Sequence, residues 1–169
     1  ADKIIPTMDK DIGKQLGRTL KKLGMKVNLK VAVQSAEVTD TGVIVKALSK
    51  QGKGEEVSFE ADKVLIATGR SAFTKGLGLE NLGIQLDSRG RIPVSATLET
   101  SAAGIYAIGD VIEGPMLAHK AEEEGVAVAE FIGGQPFHLN KDTIPGVVYT
   151  WPEAASVGKS EDELNAAGI

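Results

Sequence analysis

The stretch Gly104-Ile105-Tyr106-Ala107-Ile108-Gly109-Asp110 sets a short apolar run before a glycine and a carboxylate. It reads as a buried strand that delivers Asp110 at its tip, with Gly109 allowing a ligand close to the backbone. An acid in that place accepts hydroxyl bonds, although the same residues also suit an aspartate that caps a turn. Just beyond, Gly114-Pro115-Met116-Leu117-Ala118-His119 stiffens the chain at Pro115 and leads into a helix expected from about Ala118 to Ile132, closed by Gly133-Gly134. The Met116 to His119 amides fall where that helix begins, so unpaired N–H groups and the helix dipole favour negative charge beside them.

Working outward, Val64-Leu65-Ile66-Ala67 is apolar on both alternating faces and stops at Thr68-Gly69-Arg70, the pattern of a strand between two layers. Nearer the start, Ile12, Leu16, Leu20 and Leu23 mark one face of a helix over Asp9–Leu23, with Asp9 or Asp11 to cap it and Gly24 to end it. Its apolar face is small against the entropy of ordering it, so it is expected to need neighbours outside this chain, and the isolated polypeptide is expected to be marginal. Val27, Leu29, Val31 and Val33 alternate as one strand, which makes Val33 a strand residue with a core-facing side chain. Asp40-Thr41-Gly42 then turns into Val43–Leu48, and Ser49–Glu56 separates that from Val57–Glu60, giving an antiparallel meander. Ser71–Thr100 reads as an irregular connecting lobe with a short candidate strand at Arg91–Val94. Gly146–Tyr149 is a further strand candidate, and Ser160 with Glu163 forms a capping box for a helix cut short by the chain's end.

Composition removes several functions. Lys and Arg number 19 against 23 Asp and Glu, a formal charge of −4 that offers nothing to a phosphate backbone, so no nucleic acid is expected. The apolar runs are far shorter than a bilayer requires, so no membrane span is expected. With no cysteine and two histidines, His119 and His138, neither a dithiol centre nor a metal site is expected within these residues. The opening Ala1-Asp2-Lys3-Ile4-Ile5-Pro6 shows neither an initiator Met nor a leader, and reads as an interior start.

Two motifs carry a family resemblance that extends along the whole chain. IYAIGDV at Ile105–Val111 followed by GPMLAHKAEEEG at Gly114–Gly125 resembles the second FAD motif of the dihydrolipoamide dehydrogenases, and VLIATGR at Val64–Arg70 resembles the segment joining their nicotinamide and flavin domains. Ala72 departs from the proline common after GR, and Trp151 stands where Thr-His-Pro-Glu is frequent. The resemblance implies an α/β fold: parts of two Rossmann-like FAD/NAD(P)-binding domains with a three-stranded antiparallel meander, plus the start of an α+β dimerisation domain. Residues 1–68 would be the second half of the NAD-binding domain, 69–140 a portion of the FAD-binding domain, and 141–169 the start of the interface domain.

The resemblance also implies the cofactors, FAD and NAD, and their contacts. Asp110 would meet the flavin's ribityl chain, and Met116, Leu117, Ala118 and His119 would lie beside its ring, where a reduced flavin carries negative charge. Gly69 would touch the dinucleotide, and Val33 would pack near its adenine. His119 is read as positioning rather than proton-transferring, and no residue of the chain is assigned a catalytic role. Glu122, Glu123 and Glu124 read as a solvated first helical turn. No GxGxxG loop, cysteine pair or C-terminal histidine–glutamate pair is present, so both dinucleotide fingerprints are expected upstream of Ala1 and the chain alone is not expected to turn over. The implied partners are dihydrolipoamide on the lipoyl domain of 2-oxo acid dehydrogenase complexes and a second copy in a homodimer; the implied location is bacterial cytoplasm or mitochondrial matrix. The alternatives are another flavin disulphide reductase, of the glutathione or mercuric type, and a non-catalytic flavin-binding module.

Overall fold

In the computed structural model, which describes residues 1–50 and 54–169, helix α1 (Lys10–Lys22) begins at Asp9, whose Oδ1 accepts from the Asp11 amide at 2.9 Å. It ends at Gly24, held at φ +88. The inward face differs from the expected leucine stripe: Leu16 and Gly13 are buried, whereas Leu23 is 68% exposed. Gly13 and Gly17 form a groove for the N-terminal segment, since a Cβ at Gly13 would stand 2.7 Å from the Ile4 carbonyl oxygen and one at Gly17 2.9 Å from Ile4 Cδ1. The helix also finds a neighbour within the chain. Asp9 Oδ2 accepts from the Glu161 amide at 2.9 Å, and Lys10 Nζ pairs with Glu161 at 2.6 Å and Asp162 at 3.2 Å. These contacts seat the first turn of α3 (Glu161–Ala166) against the start of α1.

The meander is β1 (Val31–Thr39), β2 (Gly42–Ser49) and β3 (Glu56–Ala61), antiparallel in that order. Val27 and Leu29 fall outside β1, so the strand begins later than the alternation of apolar residues. Asp40 and Thr41 make the first turn, steadied by Thr39 Oγ1 donating to the Gly42 carbonyl at 3.2 Å. The expected separator Ser49–Glu56 includes residues 51–53, which lie outside the described residues. A bulge between Val33 and Ser35 breaks the β1–β2 register. Val33 is 66% exposed, not core-facing, whereas its cross-strand partner Ala47 is fully buried.

The short pair β4 (Gly146–Val148) and β5 (Ala154–Ser156) precedes α3. The α3 capping box is present, with Glu163 Oε2 accepting from the Ser160 amide at 2.7 Å and Ser160 Oγ accepting from the Glu163 amide at 3.3 Å. The helix closes on its own cap at Ala167 rather than running into the chain's end.

By its contacts the chain divides into a first unit, Ala1–Ala67 with Pro145–Ile169, and a second, Thr68–Ile144. The second holds an apolar cluster of Ile84, Ile92, Leu98, Ala107, Ile112 and Val128. Half of these lie in Ser71–Thr100, which is irregular as expected, apart from a 3₁₀ turn at Leu79–Leu82, but is core rather than mere connection. The candidate strand at Arg91–Val94 does not form; its Ile92 amide donates instead to the Val111 carbonyl at 2.8 Å. Leu98 is fully buried in the left-handed region, φ +63. That conformation costs roughly 1–2 kcal/mol, and it persists because Ser95 Oγ accepts the Thr97 and Glu99 amides while the Leu98 carbonyl accepts the Ala107 amide at 3.1 Å.

Two expected strands are absent. Val64–Ala67 makes no ladder among the described residues, and Leu65 and Ile66 are 89% and 80% exposed. Ile105–Ile108 forms only one antiparallel bridge, Glu99 opposite Tyr106. A buried parallel strand needs partners on both edges; among the described residues Val64–Ala67 has no ladder partner, and Ile105–Ile108 has only the Leu98–Thr100 stretch on one edge.

Two measurements check this account. Leu98→Ala should lower unfolding stability by about 2–5 kcal/mol in denaturant titration of the full-length protein. For acid sensitivity, the Asp11 amide first and the Glu161 amide second hold the Asp9 carboxyl below its usual 3.8, and the Ser160 amide does the same for Glu163. Acids depressed on folding give stability that is complete above about pH 4 and is lost as pH falls through their lowered values. Protection of the Glu161–Ala166 amides against hydrogen exchange, corrected for intrinsic rates, should therefore fall below about pH 4. Asp9→Asn should weaken it already at neutral pH.

Candidate cofactor site

Gly109, Asp110 and Val111 form a single 3₁₀ turn, closed by the Ile112 amide donating to the Gly109 carbonyl at 3.3 Å. The turn follows the extended Ile105–Ile108 segment and is fastened to helix α2 (Ala118–Ile132). Two side chains one helical turn apart do the fastening. Glu124 Oε2 accepts the Gly109 amide at 2.8 Å, and Lys120 Nζ donates to the Gly109 carbonyl at 3.0 Å. Lys120 Nζ also stands 3.0 Å from Glu124 Oε1, an ion pair whose angle is not that of a hydrogen bond. Both side chains are buried, at 3% and 0% exposure.

This overturns the reading of Glu122 to Glu124 as a solvated first turn. Glu122 and Glu123 are exposed, but Glu124 is fully buried, and all three follow the first turn of α2. The signal was available: Ala127 and Val128 are the buried apolar positions of α2, and stepping back by a helical turn from each lands on Glu124 and then Lys120.

Gly109 has φ +73, and a Cβ there would stand 3.2 Å from Ala121 Cβ. The position thus needs glycine twice over, for its conformation and for the approach of α2. Tyr106 meets Phe131 edge-on at 6.3 Å, and Phe131 meets Phe137 at 5.8 Å, which tie the far end of α2 to the same segment.

Asp110, the residue so carried, is 42% exposed at its side chain, and its Oδ2 lies 3.5 Å from Nε of Arg70. Gly69, next to Arg70, has φ +98 and open space where a Cβ would be. The structure thus brings Asp110 together with the Gly69-Arg70 turn. Met116 and Leu117 are half-buried, Ala118 is exposed and His119 is half-buried, all at the start of α2. Leu117 caps that helix without a side-chain bond, so its leading amides are not consumed by a capping side chain. Val33 lies in the other unit, on β1. His138 is exposed.

The donor set suits a flavin dinucleotide. A half-exposed carboxylate can accept hydroxyl bonds, a helix start carrying no capping side chain favours negative charge beside it, and the left-handed Gly69 has open space where a Cβ would be. Among the described residues no cluster of three or more acidic or histidine side chains is placed to hold a metal ion, and no helix is long and apolar enough to cross a membrane.

A family described as pyridine nucleotide-disulphide oxidoreductase matches residues 1–125. Leghemoglobin reductase of Glycine max is 49% identical over 169 residues, covering 100% of this chain and 32% of its own length. Dihydrolipoyl dehydrogenase, mitochondrial, of Pisum sativum is 48% identical over 169 residues, covering 100% and 34%, and its Homo sapiens namesake is 45% identical over 162 residues, covering 96% and 32%. The chain spans about a third of the length of these curated relatives. The crystal structure of LpdA from Mycobacterium tuberculosis superposes with a TM-score of 0.82 at 29% identity, over 97% of this chain and 35% of that one. The HOCl-induced flavoprotein disulfide reductase RclA from Escherichia coli gives 0.80 at 26%, over 97% and 37%. The mixed α/β fold is shared with these structures.

Gly109→Ala should destabilise the full-length protein by at least about 1–2 kcal/mol, measured as a lowered midpoint in denaturant. A midpoint equal to that of the unsubstituted protein would refute the left-handed, α2-packed turn.

Proposed function

This chain belongs to the pyridine nucleotide-disulphide oxidoreductase family, and from that premise we infer that the complete protein is a dihydrolipoamide dehydrogenase, with FAD and NAD as its cofactors. The observation that carries the reading is the half-exposed Asp110 carboxylate on a turn locked to the start of α2. Support comes from relatives named dihydrolipoyl dehydrogenase at 48% and 50% identity across nearly all of this chain.

Bound FAD supplies a two-electron carrier between a dithiol and NAD. The residues of this chain bind and orient. Asp110 would accept hydroxyl bonds from the ribityl chain, and Met116, Leu117, Ala118 and His119 would lie beside the ring, where the first amides of α2 favour negative charge. Gly69 contacts the dinucleotide, and Val33 packs near its adenine. His119 positions the ring and moves no proton. The dithiol step is not carried by these 169 residues, which include no cysteine.

Residues 1–68 contribute the second half of the NAD-binding domain, 69–140 a portion of the FAD-binding domain, and 141–169 the opening of the interface domain of a homodimer. The substrate is dihydrolipoamide on the lipoyl domain of a 2-oxo acid dehydrogenase complex, in bacterial cytoplasm or the mitochondrial matrix. The likeness to RclA, named a flavoprotein disulfide reductase, favours as a second reading another flavin disulphide reductase, for which the glutathione and mercuric types are the alternatives.

The full-length protein should oxidise dihydrolipoamide with NAD faster than it reduces oxidised glutathione or mercuric ion; the reverse order would select the second reading. Asp110→Ala in that protein should come through purification with clearly less FAD per polypeptide. A full flavin complement in that variant would refute the role given to Asp110.

A further inference from the structure

The mechanism above leaves Lys120 and Glu124 unused, yet they are two charged groups sealed in the second unit. Burying such a pair is seldom a gain in stability over apolar residues of equal volume. What hydrocarbon would not provide is an acceptor for the Gly109 amide and a charged second donor, beside the Ile112 amide, for its carbonyl, which Glu124 and Lys120 supply at 2.8 Å and 3.0 Å. Buried peptide groups need such partners, and this peptide belongs to a segment without a strand ladder. The adjoining residue is Asp110.

We propose that Lys120 and Glu124 are positioning residues for the flavin: by holding the amide and the carbonyl of Gly109, which belong to the two peptide groups flanking its Cα, they fix the turn that carries Asp110, and so set how tightly FAD is held. The inference rests on the reading of Asp110 as a ribityl ligand. Glu124 Oε2 holds the amide, Lys120 Nζ holds the carbonyl, and the contact between Nζ and Glu124 Oε1 keeps each head group where the other needs it. Gly114 belongs to the same arrangement, since a Cβ there would stand 2.9 Å from Lys120 Cε. The grip therefore spans the loop from the Asp110 turn to the start of α2.

The test uses full-length apoprotein, with the FAD dissociation constant from flavin fluorescence quenching, the visible band shape of the bound flavin, and the apoprotein melting temperature. Glu124→Ala should weaken FAD binding roughly tenfold or more and alter the band. Val128→Ala, on the same helix and in the same core but with a side chain that has no hydrogen-bonding group to offer Gly109, is the control for lost packing. Its dissociation constant should stay within about twofold at a comparable loss of melting temperature. The double variant Lys120→Met with Glu124→Gln leaves no buried charge and keeps an acceptor for the Gly109 amide, so it should melt near the parent yet bind FAD less tightly, the carbonyl having lost its tie to α2 and kept only the Ile112 amide. If Glu124→Ala does not fold, this double variant decides the matter.

Equal loss of affinity per degree in Glu124→Ala and Val128→Ala, or parental affinity in the folded double variant, would overturn the proposal. Asp110→Ala separates the two levels. Unchanged FAD affinity in that variant defeats the flavin reading itself, whereas weakened binding there beside parental binding in the folded pair variants defeats only this inference.

Discussion

A residue inside a protein must find partners for its N–H and its C=O, and at Gly109 two side chains of α2 join the turn's own Ile112 amide in supplying them, with no neighbouring strand. Much of the second unit follows from that. The left-handed turn is possible because the residue is glycine, the approach of α2 because it has no Cβ, and the placement of Asp110 because both are satisfied together. Around this point the aromatic contacts of Tyr106, Phe131 and Phe137 and the cluster centred on Leu98 and Ile112 supply the apolar burial that a single turn cannot.

What could be read in advance was local. The start of α1 at Asp9, the extent of α2 from Ala118 to Ile132, the Ser160–Glu163 capping box and the three meander strands are written in short-range spacing, caps and turn residues. The two apolar runs at Val64–Ala67 and Ile105–Ile108 misled because their pattern reports a need for burial on both faces, and a ladder is a contract with residues far away in sequence. Ser71–Thr100 was undervalued for a related reason. Ile84, Ile92 and Leu98 enter the core from irregular backbone, and no period marks them.

The site was legible to a similar depth. Gly109, Asp110 and the start of α2 announce themselves by residue type, and the family resemblance supplied roles for Gly69 and Val33 that chemistry alone does not. Lys120 and Glu124 were hidden by convention: charges on a helix are read as wet, although their phase placed them on the buried face. Val33 shows the opposite error, a branched apolar residue that the bulged edge of β1 leaves in contact with solvent. In both cases position along the element's period, not polarity, tells where the side chain goes.

The bridge from Asp9 to the Glu161 amide joins residues separated by 152 positions, and it lies in a unit whose two segments flank the other one in sequence. This arrangement sets a timetable during synthesis. Thr68–Ile144 is contiguous and has its core residues at hand once that stretch leaves the ribosome, whereas α1 waits with one carboxylate oxygen unanswered until the α3 segment is made. Of the two units, the one whose first residues are translated earlier is thus the later to be completed.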